Sequence, residues 1–322
     1  MRAAQLTRLD GPEAVEVGEI DEPTGDGVIV DVHAAGAAFP DALLTRGLYQ
    51  YRPDPPFVLG AEIAGVVRSA PSDAHVKEGD RVVGLTMLTG GMAEVAVLQP
   101  DRVFKLPDNV SFTAGAGLLF NDLTMYFALT VRGRLQQGET VLVHGAAGGI
   151  GTSTLRLAPV LGASRTIAVV STEEKGQVAT AAGATDVVLA EGFKDAVKEL
   201  THGRGVDMVV DPVGGDRFTD SLRSLAPGGR LLVVGLTGGD IPTVKVNRLL
   251  LNNVDVVGVG WGAWAGTHPG ALTEQWTGLA ELLTSGKLSP PEPEVYPLDE
   301  AAAAVTSLEK RTAKGKVVLR VR

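Results

Sequence analysis

The stretch that most limits what this chain can fold into is residues 140–151, TVLVHGAAGGIG. Thr140 to Val143 are β-favouring or apolar and read as a buried strand. They run directly into Gly145, Gly148, Gly149 and Gly151, after which the pattern turns helical. Strand, glycine turn and helix, in that order, is the context in which such a motif binds a dinucleotide. A helix start offers unpaired N–H groups and the positive end of its dipole to a pyrophosphate. Glycines let the backbone approach the phosphates and let the helix lie close on its strand. The spacing fits G-x-G-x-x-G with Ala146 in the first glycine's place, then Gly148 and Gly151. Alone, the same residues also describe an ordinary glycine-rich turn, so the flanking chain decides.

From about residue 122 onward, strands alternate with helices. Residues 165–171, 186–189, 206–211, 230–235 and 254–259 are further strands, with helices expected over 149–161, 172–182, 193–201 and 218–225. Near-continuous Val, Ile and Leu runs mean strands covered on both faces, as in a parallel sheet. Six such strands predict a doubly wound parallel sheet with a dinucleotide at its glycine turn, Ala147, Gly148, Gly149 and Ile150 facing the phosphates. Gly235 and Leu236, after the fifth strand, fall where the cofactor cleft of such a sheet opens. Pro159 predicts a kink or an early end in the first helix.

The residue about 20 positions past the glycines selects the cofactor: an acidic side chain there bonds the ribose 2′-OH of NAD and repels a 2′-phosphate. Here the second strand ends at Ser171, followed by Thr172, Glu173, Glu174 and Lys175. Ser171 and Thr172 can donate to a phosphate, and Lys175 can add positive charge. The expectation is NADPH, with Glu173 and Glu174 serving as acidic residues at a helix start.

Residues 1 to about 110 differ in kind. Short β-type runs at 28–32, 63–68, 81–85 and 93–97 are separated by turn signals such as Gly25-Asp26-Gly27 and Gly90-Gly91. Only 40–46 looks helical. This predicts a mostly antiparallel, barrel-like domain. At 322 residues the chain has room for two domains. Its net charge of −9 argues against nucleic-acid or membrane-surface binding. It contains no Cys, which excludes thiolate zinc sites and cysteine nucleophiles and fits a cytoplasmic location. No unbroken run approaches the ~18 apolar residues of a membrane span.

Ala146-Ala147-Gly148-Gly149-Ile150-Gly151 is similar to the AAGGVG of the zinc-free quinone oxidoreductases, the zeta-crystallin-like branch of the medium-chain dehydrogenase/reductase superfamily. Five further segments carry the resemblance in order: Arg46-Gly47-Leu48-Tyr49, residues 60–65, Leu123-Thr124, residues 211–215 and residues 315–319. The resemblance implies an α/β protein with a GroES-like β-barrel catalytic domain, residues 1–122 and 264–322, and an inserted Rossmann domain, residues 123–263. It also implies a homodimer and NADPH-dependent reduction of quinones or other conjugated carbonyls. Tyr49 matches the tyrosine of the family's R-x-G-x-Y stretch, and Thr124 matches the threonine that meets the cofactor; both are catalytic candidates. Phe39, Tyr51, Trp261 and Trp264 join Tyr49 as candidate pocket residues, though the two Trp could equally form a subunit contact.

The chain departs from related patterns in three places. Zinc-dependent relatives carry Gly-His-Glu where this chain has Gly60-Ala61-Glu62, and the five His are scattered without ligand spacing. A catalytic zinc needs about three protein ligands, so no metal is expected. Glu62, with no partner visible in the sequence, reads as a buried structural carboxylate, and His144 as a packing residue. Ala38 replaces the family's usual Asn, and Leu189 and Ala190 stand where some relatives have a tyrosine near the 2′-phosphate. Two other readings share this sequence: an enoyl-thioester or unsaturated-aldehyde reductase, and a non-catalytic NADPH-binding protein.

Overall fold

Short β-favouring runs with buried alternate residues build the first of two units in a computed structural model that describes every residue from Met1 to Arg322. This unit comprises residues 1–123 and 270–322. Its strands are β1 (Arg2–Leu6), β2 (Val15–Glu19), β3 (Val28–Ala37), β4 (Phe57–Val58), β5 (Glu62–Ser69), β6 (Arg81–Leu85), β7 (Val95–Leu98) and β8 (Val103–Lys105), completed by Glu294–Pro297 and Val317–Arg320. β3 is the hub. It pairs antiparallel with β5, β7 and the closing strand Val317–Arg320. The alternating Val28, Val30 and Val32 face a core shared with Ile63, Val82, Val103, Val317 and Leu319.

β3 runs five residues past its expected end, through Ala34, Ala35, Gly36 and Ala37. These residues have weak β-propensity, but burial on both faces selects small side chains. At Gly36 a Cβ would lie 2.3 Å from Ala116 O and 2.6 Å from Glu62 Cγ. β1 and β2 carried no expectation, and neither did residues 112–132, which form one helical run with π-type turns at Leu119–Leu123 and Ala128–Arg132. That run is apolar and long enough to span a membrane by length alone, yet 78% of its apolar window is buried inside the protein.

The second unit, residues 124–269, follows from the Val/Ile/Leu runs. Its strands are β9 (Thr140–His144), β10 (Arg165–Val170), β11 (Asp186–Leu189), β12 (Val206–Asp211), β13 (Leu225–Val233) and β14 (Asp255–Gly258). All pair in parallel, in the order β11-β10-β9-β12-β13-β14. Helices lie between them, and Leu142, Ile167, Val169, Val209 and Leu231 fill the core. The strand order reverses between β9 and β12, which is where a doubly wound sheet opens its ligand crevice. The helix Gly149–Val160 stops one residue after Pro159. β13 starts five residues early because Leu225 already pairs with Val206, with an irregularity in register before Arg230 pairs with Met208; Arg230 itself is held inside by Glu139 at 2.5 Å and Gly133 O at 2.6 Å.

Candidate functional site

In the second unit the glycine turn closes tightly. Gly145 has φ +58°, and Gly148 N donates to Gly145 O at 2.9 Å. A Cβ on Gly151 would lie 2.4 Å from Gly145 O and 2.5 Å from Ala146 Cα, so the helix can seat on β9 only with glycine there. Gly148 begins the helix with no side-chain cap, leaving the first-turn N–H groups facing outward. These features fit a dinucleotide pyrophosphate. Ala147 is buried, while Gly148, Gly149 and Ile150 are half-buried at the crevice end of the sheet.

Ser171 and Thr172 are exposed at the end of β10, and Thr172 Oγ1 accepts from Lys175 N at 3.3 Å, capping the helix Glu173–Ala181. Glu173 and Glu174 are exposed in that helix's first turn. Leu236 is 37% exposed and Gly235 half-buried, beyond β13. These segments share the carboxyl edge of one sheet. Thr124 is buried, and its turn packs on the helix Gly149–Val160. Trp261 is buried beyond β14, and the Trp264 ring lies tilted against Phe127 at 4.7 Å and stacks on His268 at 4.4 Å. His144 is fully buried, with Nε2 2.8 Å from Ser221 Oγ and the Phe193 ring edge-on at 4.9 Å.

In the first unit, Phe39 opens the helix Phe39–Thr45, Tyr49 packs half-buried on the core, and Tyr51 is 48% exposed. Ala38 is the cap residue, and the Asp41 carboxylate takes over the capping: it accepts from Ala38 N at 2.8 Å and Gly60 N at 3.0 Å. Burial pushes Asp41 up to about 6, against those two N–H bonds. Glu62 does have a partner, hidden by 254 residues of sequence separation: Lys316 Nζ lies 2.6 Å from Oε1. Lys316 also donates to Ala37 O at 2.9 Å, and Phe120 N donates to Glu62 Oε2 at 2.8 Å. Burial pushes Glu62 up, and the ammonium opposes it. The available signal was Lys316 standing immediately before the apolar run Val317 to Leu319. His33 lies within β3, where the strand outruns its sequence pattern, and stacks on Phe112 at 4.3 Å.

Residues 24–108 match the alcohol dehydrogenase GroES-like domain and residues 149–285 match the zinc-binding dehydrogenase family. A quinone oxidoreductase-like protein 2 from Rattus norvegicus is 37% identical over 99% of this chain and 91% of its own. The chain belongs to the quinone oxidoreductase-like family of the medium-chain dehydrogenase/reductase superfamily. A probable oxidoreductase from Mycobacterium abscessus superposes with a TM-score of 0.89 at 42% identity, covering 100% of this chain and 99% of that one. The Escherichia coli quinone oxidoreductase, solved in complex with NADPH, superposes at 0.89 with 31% identity over the full length of both chains.

The second family description raises zinc, and the residues present do not fit it. Ala61 has no ligating atom, and both Glu62 oxygens and both Asp41 oxygens are engaged by N–H or ammonium donors. No group of three or more His, Cys, Asp or Glu is placed to hold a metal ion.

Proposed function

We propose that this chain is a cytoplasmic, homodimeric reductase that uses NADPH to reduce a quinone or another conjugated carbonyl, with no metal. One observation carries the reading: a glycine turn that only glycine can close, at the switch point of a six-stranded parallel sheet. The Escherichia coli relative bound to NADPH supports the choice of cofactor. Ala147, Gly148, Gly149 and Ile150 hold the pyrophosphate, Ser171 and Lys175 the 2′-phosphate, and Gly235, Leu236 and Thr124 the nicotinamide end. Bound NADPH supplies a hydride.

The chain's own part is position and charge. Without a Lewis acid, the acceptor must already be electrophilic, as quinones and enones are. Hydroxyl donors stabilise the oxyanion that forms, and Tyr49 and Thr124 take that role. Phe39, Tyr51, Trp261 and Trp264 supply apolar wall. Ile241, Val246, Leu250 and Leu251, in the segment that leads into the edge strand β14, are 71–79% exposed, which supports a subunit contact there.

The test is titration of the purified protein with NADPH and NADH, then stopped-flow mixing with 1,2- and 1,4-quinones, an enone and an enoyl thioester. Tight NADPH binding and rapid oxidation by quinone or enone are expected. Preference for NADH would remove the role given to Ser171 and Lys175. Oxidation by the thioester alone would move the assignment to enoyl reduction, and binding without oxidation to a non-catalytic role.

A further inference from the structure

Two buried acceptors sit at the crevice end of the sheet without a hydrogen-bond donor. His144 closes β9 and Asp211 closes β12, the strands on either side of the order reversal. They are cross-strand neighbours, because Val143 pairs with Val210 one residue before each. His144 is fully buried and Asp211 is 2% exposed. Ser221 Oγ lies 3.0 Å from Arg217 O and 2.8 Å from His144 Nε2. With its one hydrogen on Arg217 O, the hydroxyl accepts from Nε2 and Nδ1 is left as an acceptor; Nδ1 has no partner among the protein's groups. Asp211 Oδ1 accepts from Val213 N and Gly214 N, both at 2.8 Å, while Oδ2 has no partner.

The turn that Asp211 holds joins two loops. On one side Gly145 packs against it, where a Cβ would lie 3.2 Å from Val213 Cγ2 and 3.6 Å from Pro212 Cγ. On the other side Thr237 N donates to Pro212 O at 3.1 Å and Gly238 N to Val213 O at 2.7 Å. Gly214 itself has φ +66°, and a Cβ there would lie 2.8 Å from Leu236 Cδ2. One carboxylate oxygen thus sets a turn that touches both the 145–150 and the 235–238 segments.

We propose that Asp211 and His144 are positioning residues for the dinucleotide: Asp211 Oδ1 fixes the 211–214 turn between the two cofactor loops, and Asp211 Oδ2 with His144 Nδ1 seats one buried water that donates a hydrogen to each. This rests on the NADPH reading above. Buried waters commonly serve in this way where polar groups lack protein partners. The other groups facing His144 are the Asp211 carboxylate, the Arg217 guanidinium, the Ser221 hydroxyl and the Phe193 ring. Burial pushes the imidazole down to about 4, with Asp211 opposing and Arg217 reinforcing, so the ring is neutral at pH 7.

The test compares Asp211→Asn with Asp211→Ala. Asparagine keeps an oxygen for the two turn N–H groups and places an N–H donor where Oδ2 stood. It should hold the NADPH Kd, by calorimetry, within about threefold of wild type. Alanine removes the clamp and should raise Kd about 10–100-fold. Hydrogen exchange without cofactor should show the alanine variant losing protection at the amides of 213, 214, 237 and 238 while β9 and β12 stay protected. Nitrogen-15 NMR should find His144 as the Nε2–H tautomer. An Nδ1–H tautomer would overturn the two-acceptor seat, and an asparagine variant as weak as alanine would overturn the assignment of the turn clamp to Oδ1. An alanine variant with wild-type Kd and protection would overturn the positioning role. A wild-type protein that fails to bind NADPH would overturn the cofactor reading and the positioning role with it, and the exchange result would still show whether Asp211 holds the turn.

Discussion

Adding a single methyl at Gly151 separates packing from ligand binding in the glycine turn. In Gly151→Ala the new carbon would sit 2.4 Å from Gly145 O, 2.5 Å from Ala146 Cα and 2.6 Å from Ala146 C. Favourable contacts between such atoms begin near ~3.5 Å, so the helix must withdraw from β9 by roughly 1 Å. All three neighbours are backbone, and no rotamer change relieves the contact. In an exposed helix the same substitution would gain about 1 kcal/mol in propensity. Here overpacking of about 1–3 kcal/mol or more outweighs it, and the melting temperature should fall by about 3–10 °C. Gly148→Ala is the control. Gly148 has φ −89° and ψ 179°, which any residue adopts, and its Cβ would meet only Gly145 O, at 3.4 Å. That variant should melt with the wild type yet raise the NADPH Kd about tenfold or more, because its methyl occupies the approach of the pyrophosphate. Calorimetric unfolding and cofactor titration on both variants decide. A Gly151→Ala protein as stable as wild type would refute the packing argument, and a Gly148→Ala protein with unaltered Kd would refute the placement of the phosphates.

Three further outcomes are expected. Lys316→Met leaves the Glu62 carboxylate buried without its cation, and chemical denaturation should show a loss of about 3–5 kcal/mol, largely recovered when Glu62→Gln is added. Asp41 is raised from 3.8 to about 6, so the folded state binds its proton more tightly than the unfolded chain does. Its contribution is therefore present below about pH 4 and is lost as the pH rises to about 6, by up to about 3 kcal/mol. Urea titrations across that window should show a flatter pH profile for Asp41→Asn, and an unchanged difference between the two proteins from pH 4 to 6 would count against the burial argument. Leu250→Asp with Leu251→Asp should yield monomers by light scattering if the apolar patch beside β14 is a subunit contact, while an unchanged mass would clear that patch of the role.

What could be read from the sequence was what depends on near neighbours. β11 and β12 fall on the expected residues, since parallel strands announce themselves as Val, Ile and Leu runs bounded by turns, at the edge of the sheet as in β11 and inside it as in β12. β3 outran its pattern because its second half is Ala and Gly, chosen for close packing against Ala116 and Glu62 rather than for β-propensity. The helical run at 112–132 escaped notice because burial makes it apolar on most faces, erasing the 3.6-residue period that marks a surface helix. The phosphate loop was legible because glycine is required where backbone meets backbone, and that requirement is local. The Glu62–Lys316 pair was not, since the partners are 254 positions apart in sequence.

Three buried carboxylates, Asp41, Glu62 and Asp211, follow one rule that composition cannot show. Asp41 accepts from Ala38 N and Gly60 N, Glu62 from Phe120 N, and Asp211 from Val213 N and Gly214 N. In each case an acidic side chain at a strand or helix end accepts from backbone N–H groups, those of a turn or helix start for Asp41 and Asp211 and that of a π-type turn for Glu62. Each tethered segment adjoins a candidate site residue: Phe39 follows Ala38, Thr124 lies one helical turn after Phe120, and Leu236 packs on Gly214. A charge-assisted bond to backbone N–H is about twice as strong as a neutral one and fixes direction as well as distance. Burying a carboxylate is costly, and an amide would satisfy one of the same donors more cheaply. The carboxylate is the better choice where each oxygen must take its own donor, as in Asp41 with two N–H groups and Glu62 with an N–H and an ammonium, whereas Asp211 holds both of its N–H groups on Oδ1. The acids that look anomalous in a hydrophobic core are thus the groups that set the backbone from which the proposed chemistry is presented.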